Sequence, residues 1–346
     1  MAGRSQDLDS ARLAAWLNDA GIADGPVRDV RALVGGTQNL ILRFTAGDRN
    51  LVLRRPPPDR ASSEKTIRRE AIVLAALAET DLPHPRLRGL CEDAEILGGT
   101  FLVTDEVDGF NATSEMPERA GSDPAFRYGM GIALAEGLAA LASVPVDRGA
   151  IATLGSTDGF VERQVDRWAS QLAGYADLAG WPGPEALGPV TAIGDWLRAN
   201  LPEDRHAGLM HGDYHIANVL FRRDTGGLAA ILDWELAALG DPLLDLARLV
   251  TVWPNARNEG LLSLKVEPWD AFPPVEALIE RYAAITGRSM AALPWFEALA
   301  CYKFGIILEG THARACAGHA DPAVGARLHA SAKGLVARAA ATLDRA

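Results

Sequence analysis

The stretch Leu209-Met210-His211-Gly212-Asp213-Tyr214-His215-Ile216-Ala217-Asn218-Val219-Leu220-Phe221, followed by Ile231-Leu232-Asp233-Trp234-Glu235, decides how this chain is read. Polar groups stand at the borders of two apolar, β-prone runs. The turn Asp224-Thr225-Gly226-Gly227 separates residues 219–223 from 228–232, and a four-residue loop pairs Arg223 with Leu228. Continued to the open end of the hairpin, that register predicts Asn218 opposite Asp233. A carboxamide oxygen and a carboxylate meeting there are hard ligands of the kind Mg²⁺ prefers, with phosphate oxygens and water completing the octahedron. Asp213 lies five residues before Asn218 on a loop entered through Gly212, so it can stand near the metal without belonging to the strand. That makes it the candidate catalytic base. Singly these residues say little, since Gly-Asp is common in turns and Asn218 or Asp233 alone can cap a strand. The joint spacing carries the argument.

Outward from this segment the chain divides in two. Residues 9–20 have the apolar spacing of a short amphipathic helix stopped by Gly21, and 29–34, 40–45, 50–54 and 100–105 are β-prone runs bounded by Gly, Asp, Asn or Pro. Residues 64–78 are helical in period, with Ile67, Leu74 and Leu77 on one stripe. After Gly109 helical segments dominate, at 124–142, 158–178, 186–200, 241–252, 272–286, 291–315 and 323–343, with the hairpin 218–233 embedded among them. A chain of 346 residues exceeds what one core usually serves. We therefore expect an N-lobe over 1–108, an antiparallel sheet with one main helix, and a larger, mostly helical C-lobe over 109–346.

The pattern HGDxxxxN followed by an apolar strand and Asp resembles the catalytic and metal-binding loops of the aminoglycoside phosphotransferase family, which implies an α+β, protein-kinase-like bilobal fold. The likeness is closer to the branch of phosphotransferase domains associated with acyl-CoA dehydrogenases. It rests on His211-Gly212-Asp213-Tyr214, Leu232-Asp233-Trp234-Glu235-Leu236, Gly240-Asp241-Pro242, Asp245-Leu246-Ala247, Leu53-Arg54-Arg55-Pro56-Pro57 and residues 310–314, and runs from about residue 25 to the C-terminus. The resemblance implies that Asp213 orients or deprotonates an acceptor hydroxyl, that Asn218 and Asp233 hold Mg²⁺, and that His211 braces the loop. It implies ATP as phosphoryl donor. In such enzymes alignment and charge stabilisation do most of the work.

The N-terminal half offers a separate check. A kinase needs a basic residue on its third strand to contact phosphate and pair with a helix glutamate. The chain has only four lysines, and Lys65, the one before residue 265, lies at a polar helix start. Arg54 can fill the place: period two puts Val52 and Arg54 on one strand face, so Val52 covers a base while Arg54 reaches phosphate, although Arg55 is also eligible. Glu70 interrupts the apolar stripe of its helix, so it faces inward and needs a cation, for which we nominate Arg54. The loop Val34-Gly35-Gly36-Thr37-Gln38-Asn39 matches no phosphate-binding motif, but Thr37, Gln38 and Asn39 are placed to offer donors to phosphate. Residues 101–109 resemble the family's hinge, where backbone atoms of Asp105 and Val107 read the base, which leaves ATP and GTP both open. Asp241 reads as a helix cap before Pro242, and Asp245 as a support for the catalytic loop.

Composition narrows the partners. The net charge of −11 and the absence of basic runs argue against nucleic acid, no stretch approaches a membrane span, and three widely separated cysteines fit a reducing cytoplasm. The acceptor is expected to be a small hydroxyl compound, bound between Asp213 and the C-terminal helices that carry Tyr302, Lys303, Glu309, His312 and Arg314. Acidic residues beyond 251 are too scattered for a polycationic drug. The resemblance points instead to a hydroxy acid or hydroxyacyl-CoA and to a functional link with an acyl-CoA dehydrogenase. An antibiotic phosphotransferase is the alternative within the class. A kinase-like protein that binds nucleotide or acyl ligand without turnover is the alternative outside it, and a hydrolase using His211 and Asp213 is disfavoured by the lack of a nucleophile elbow.

Overall fold

The chain's structure, a computed structural model, is described for residues 8–33, 39–56, 64–147, 149–255 and 265–343. Helix α1 (Ser10–Asp19) starts where the Asp9 carboxylate accepts a hydrogen bond from the Arg12 amide at 3.0 Å. Strands β1 (Val27–Ala32), β2 (Leu40–Ala46) and β3 (Arg49–Arg55) follow, then α2 (Glu64–Leu77), β4 (Leu87–Cys91), a single helical turn α3 (Ala94–Leu97) and β5 (Phe101–Asp105). The five strands form one antiparallel sheet in the order β1-β2-β3-β5-β4. Its alternation sorts side chains between two helices. Leu42, Phe44, Leu51, Leu53, Phe101 and Val103 are buried with Leu13 and Leu17 of α1, while α2 lays Ile67 and Ala71 on Leu102 at the opposite face. Val52 and Arg54 share that second face, as their spacing predicts.

The sheet has one strand more than the sequence reading provides. In β4 the apolar alternation is interrupted by Gly89 and a register shift between Leu87 and Gly89, so no period-two signal survives. The glycine is needed there: a Cβ would lie 2.8 Å from Ile22 and 2.9 Å from Trp16.

Beyond β5 the chain passes through residues 106–109 to Phe110, whose backbone bridges Phe221. Helices α4 (Glu118–Ser122), α5 (Pro124–Ala142), α6 (Phe160–Ala173) and α7 (Val190–Ala199) come next, and α5 has the predicted bounds. The segment expected to be helical to 178 tightens into a 3₁₀ turn at Gly174–Asp177. Strand β6 (Gly208–Met210) precedes the catalytic-type loop and pairs with β9 (Ala238–Gly240), while β7 (Val219–Phe221) and β8 (Leu228–Ile231) form the hairpin. Helices α8 (Leu243–Val252), α9 (Val275–Thr286), α10 (Leu293–Cys316) and α11 (Pro322–Leu343) complete a C-terminal lobe with one continuous core. Val73, Leu74 and Leu77 of α2 belong to that core, so the helix that covers the sheet also anchors it.

The hairpin corrects the expected register. Arg222 and Gly227, rather than Arg223 and Leu228, close the turn, and an irregularity between Leu220 and Phe221 adds a residue to one strand. Val219 therefore faces Ile231, and the Leu232 amide donates to the Asn218 carbonyl. Asn218 is opposite Leu232, with Asp233 one residue further on. A bulge leaves no mark that residue periodicity could reveal.

Candidate active site

The loop between β6 and β7 is held by a buried carboxylate. Asp245, in the first turn of α8, accepts the His211 amide through Oδ2 at 2.5 Å and the Gly212 amide through Oδ1 at 2.9 Å. Gly212 has φ +86°, and a Cβ there would stand 2.4 Å from the Leu236 carbonyl oxygen, so only glycine fits. The His211 ring is buried between Tyr214 and Trp234, with Nε2 2.7 Å from the Leu232 carbonyl. It braces the loop, and Asp245 supports it, as the sequence suggests. Asp241 receives the Leu243 amide at 2.9 Å and also forms a buried pair with Arg288.

This frame presents Asp213. Its Oδ1 accepts from Arg248 Nε at 2.9 Å, and its Oδ2 lies 3.4 Å from His215 Nε2. Burial opposes its charged form, but the His215 hydrogen bond and the Arg248 charge outweigh it and hold the carboxyl well below the usual carboxylate range. Asn218 donates through Nδ2 to the Asp213 carbonyl at 2.9 Å, and among the described residues no donor reaches its Oδ1. The carbonyls on either side of it, those of Ala217 and Val219, both accept from Asn111 Nδ2 at 2.6 and 3.1 Å.

The sheet contributes the second half of the site. Arg54 places Nη1 3.1 Å from Glu70 Oε1, and Nη2 2.5 Å from Asp233 Oδ1 and 2.9 Å from Glu235 Oε2. One guanidinium thus joins β3, α2 and the segment after β8. Arg55 turns away to the Leu97 carbonyl. Burial alone would weaken the Arg54 charge, but the three carboxylates raise its pKa further. Burial pushes the Glu70 carboxyl up to about 7, because Asp233 and Glu235 counter the help it gets from Arg54. Asp233 sits at φ +67°, unusual for a residue other than glycine though tolerated by Asp. That turn brings its carboxylate to Arg54 despite the register offset from Asn218. Asp233 is half-exposed, and Arg54 meets it at Oδ1. Together with Asn218 Oδ1 it offers the hard oxygens that Mg²⁺ requires, so the donor set fits the ion.

The remaining expected residues divide. Asn39 is buried and donates to Glu235 Oε2 at 2.7 Å, so its amide nitrogen is committed to the carboxylate cluster instead of standing open to phosphate. Thr37 and Gln38 lie outside the described residues. The Asp105 amide donates to the Arg86 carbonyl, and its carboxylate takes Arg88 in a two-point pair, so only its carbonyl could face a base. Val107 makes no backbone hydrogen bond with another described residue. Three neighbours of the site went unforeseen. Glu235 and His215 lie inside the quoted motif without an assigned role, His215 only two residues from Asp213, whereas Arg248 reaches Asp213 through a tertiary contact that no local pattern signals. Lys303 does face the loop: its Nζ donates to the Gly212 carbonyl at 3.3 Å, and burial lowers its pKa to about 8. Glu309 and His312 are turned instead to α11.

Among the described residues no helix is long and apolar enough to cross a membrane. Residues 29–285 match the model of the phosphotransferase enzyme family. The chain is similar to acyl-CoA dehydrogenase family member 11 of Homo sapiens, 29% identical over 321 residues that cover 89% of this chain and 39% of the relative. It therefore spans about two fifths of the length of that relative. Among solved structures it is similar to a putative aminoglycoside phosphotransferase from Ralstonia eutropha JMP134, with TM-score 0.79, 25% identity, and coverage of 97% of this chain and 98% of that one. A thermostable mutant of aminoglycoside phosphotransferase APH(4)-Ia, in ternary complex with ADP and hygromycin B, shares the fold at TM-score 0.57 and 17% identity, covering 94% of this chain and 97% of that one. With the site geometry and a family match over most of its length, the chain belongs to the phosphotransferase enzyme family and has its kinase-like, bilobal α+β fold.

Proposed function

We propose that the protein transfers the γ-phosphoryl group of ATP to the hydroxyl of a small anionic acceptor, a hydroxy acid or hydroxyacyl-CoA. The observation that carries this is the convergence of a fixed, ionised Asp213 with Asn218 on one loop and of Asp233 with Arg54 across the cleft. Asn218 and Asp233 would hold Mg²⁺, which supplies neutralisation of charge on the transferring phosphoryl oxygens. Asp213 orients the acceptor hydroxyl and takes its proton as the oxygen attacks. Its depressed pKa makes it a weak base, which suits a reaction in which that proton leaves late. Arg54, paired with Glu70, contacts donor phosphate from the sheet, and the Asp105 carbonyl with the Val107 backbone reads the base. The lobes divide at residues 108 and 109, so the cleft lies between the sheet and the C-terminal helices.

Arg248 and Lys303, two basic side chains packed against the Asp213 loop, favour an anionic acceptor. Arg248 Nη1 is buried and has no hydrogen-bond partner among the described residues. That unsatisfied donor would favour a carboxylate or other anion over an aminoglycoside polycation. A functional link to an acyl-CoA dehydrogenase and a reducing cytoplasm, in keeping with free Cys91, Cys301 and Cys316, belong to the same proposal. The test is transfer of labelled phosphate from ATP with Mg²⁺ to a panel of hydroxy acids, their CoA thioesters and aminoglycosides, with Asp213→Asn as control. Transfer to the anionic acceptors supports the proposal. Transfer to aminoglycosides alone, or nucleotide binding without transfer to any acceptor, overturns it.

A further inference from the structure

Helices α10 and α11 pack along each other in the C-terminal lobe, and their interface holds a cluster that the phosphotransfer chemistry does not use. Glu309 and His312 stand one turn apart on α10, and His329 reaches them from α11. One ligand-type atom from each lies within 4.8 Å of the other two. Glu309 is fully buried, its Oε1 accepting from Trp181 Nε1 and its Oε2 2.7 Å from His329 Nδ1. The two imidazoles lie face to face, with centroids 4.3 Å apart and a tilt of 32°.

We propose that Glu309, His312 and His329 form a binding site for a divalent transition metal of the zinc class, separate from the nucleotide site. Two imidazoles and a carboxylate are a recurrent ligand set for Zn²⁺, and a Glu-x-x-His pair on one helix facing a ligand on the next is an established way to place such a set inside a bundle. Bonds of about 2.0 Å in a tetrahedron require ligand atoms about 3.3 Å apart, so side-chain rotations of about an ångström close the observed spacing. Glu309 is held in place through its second oxygen by Trp181, the kind of outer contact that fixes a ligating carboxylate. The open corner can take water or the exposed thiol of Cys316, whose Sγ is 3.6 Å from His312 Nε2. A metal here would staple α11 to α10, the helix that also brings Lys303 to the catalytic loop.

The test uses the untagged full chain, stripped with chelator and titrated with Zn²⁺ and with Co²⁺ in millimolar Mg²⁺, which keeps the nucleotide site from scavenging the probe. We expect one equivalent bound with sub-micromolar affinity, a visible Co²⁺ spectrum of tetrahedral type, and a rise in melting temperature of roughly 5 °C on Zn²⁺ saturation. His312→Gln and His329→Gln are both at half-buried positions and should each weaken Zn²⁺ binding about 10- to 100-fold with unchanged circular dichroism. The double variant should abolish the Co²⁺ spectrum. Affinity weaker than about 100 μM in the parent, or Zn²⁺ binding that survives in the folded double variant, would overturn the proposal in favour of a plain hydrogen-bonded Glu–His pair. Neither result depends on phosphoryl transfer.

Discussion

Arg54→Met removes the one side chain that, among the described residues, bridges Glu70, Asp233 and Glu235. The side chains of Arg54, Glu70 and Glu235 are 10%, 5% and 10% exposed, so the two glutamates would be left as uncompensated buried charges. Breaking a pair of that kind costs about 3–5 kcal/mol. Asp233, at 38% exposure, is screened by water and adds little. The cost depends on pH, and its sign follows from Glu70. Its folded pKa of about 7 is above the ordinary carboxyl value, so between the two the native state holds more protons than the unfolded chain and stability falls as pH rises. Arg54 pulls that pKa down, so the variant's Glu70 titrates higher still. At about pH 5.5 Glu70 is protonated in both proteins, and the deficit should shrink to about 1–2 kcal/mol, the value of lost hydrogen bonds. At about pH 8.5 the full 3–5 kcal/mol should appear. Urea unfolding at the two pH values measures both. A deficit below about 1 kcal/mol at the higher pH, or one equal at both, refutes the claim that Arg54 neutralises a buried acid cluster. Arg54→Lys keeps the charge without the fork and should fall between parent and Arg54→Met.

Asp213→Asn should lower kcat by about 10²- to 10⁴-fold while leaving the KM for ATP within about threefold, read by coupled ADP release; unchanged kcat would remove Asp213 from the chemistry. Asp233→Ala should chiefly weaken Mg²⁺-dependent nucleotide binding, and calorimetry showing equal affinity in mutant and parent would exclude it as a metal ligand. Gly212→Ala forces a side chain into the Leu236 carbonyl at positive φ, so the loop must shift and kcat should fall at least about tenfold with the global fold retained; normal turnover would mean the loop tolerates displacement.

Much of the site could be read from the sequence because its parts obey local rules. Period two on β3 separates Arg54 from Arg55, the stripe on α2 turns Glu70 inward, and the five-residue spacing from Asp213 to Asn218 belongs to one loop. What escaped the reading has no such rule. The turn closes at Arg222 and Gly227, and the bulge between Leu220 and Phe221 only partly offsets that shift, so Asp233 stands one residue past Asn218, at a positive φ, where it meets Arg54. Arg248 meets Asp213 from 35 residues away, and Asn39 meets Glu235 from 196, across lobes. Strand β4 was hidden by Gly89, whose role is to leave room for Trp16 and Ile22.

The double grip of Asn111 has a mechanical meaning. By taking the carbonyls on both flanks of Asn218 from a position just past the connection between sheet and helices, it ties the ligand-bearing backbone to the same body as Phe110 and the hairpin. On the proposed assignment, the loop's share of the ion site is thus built into the C-terminal lobe, whereas Asp233 answers to Arg54 of the sheet.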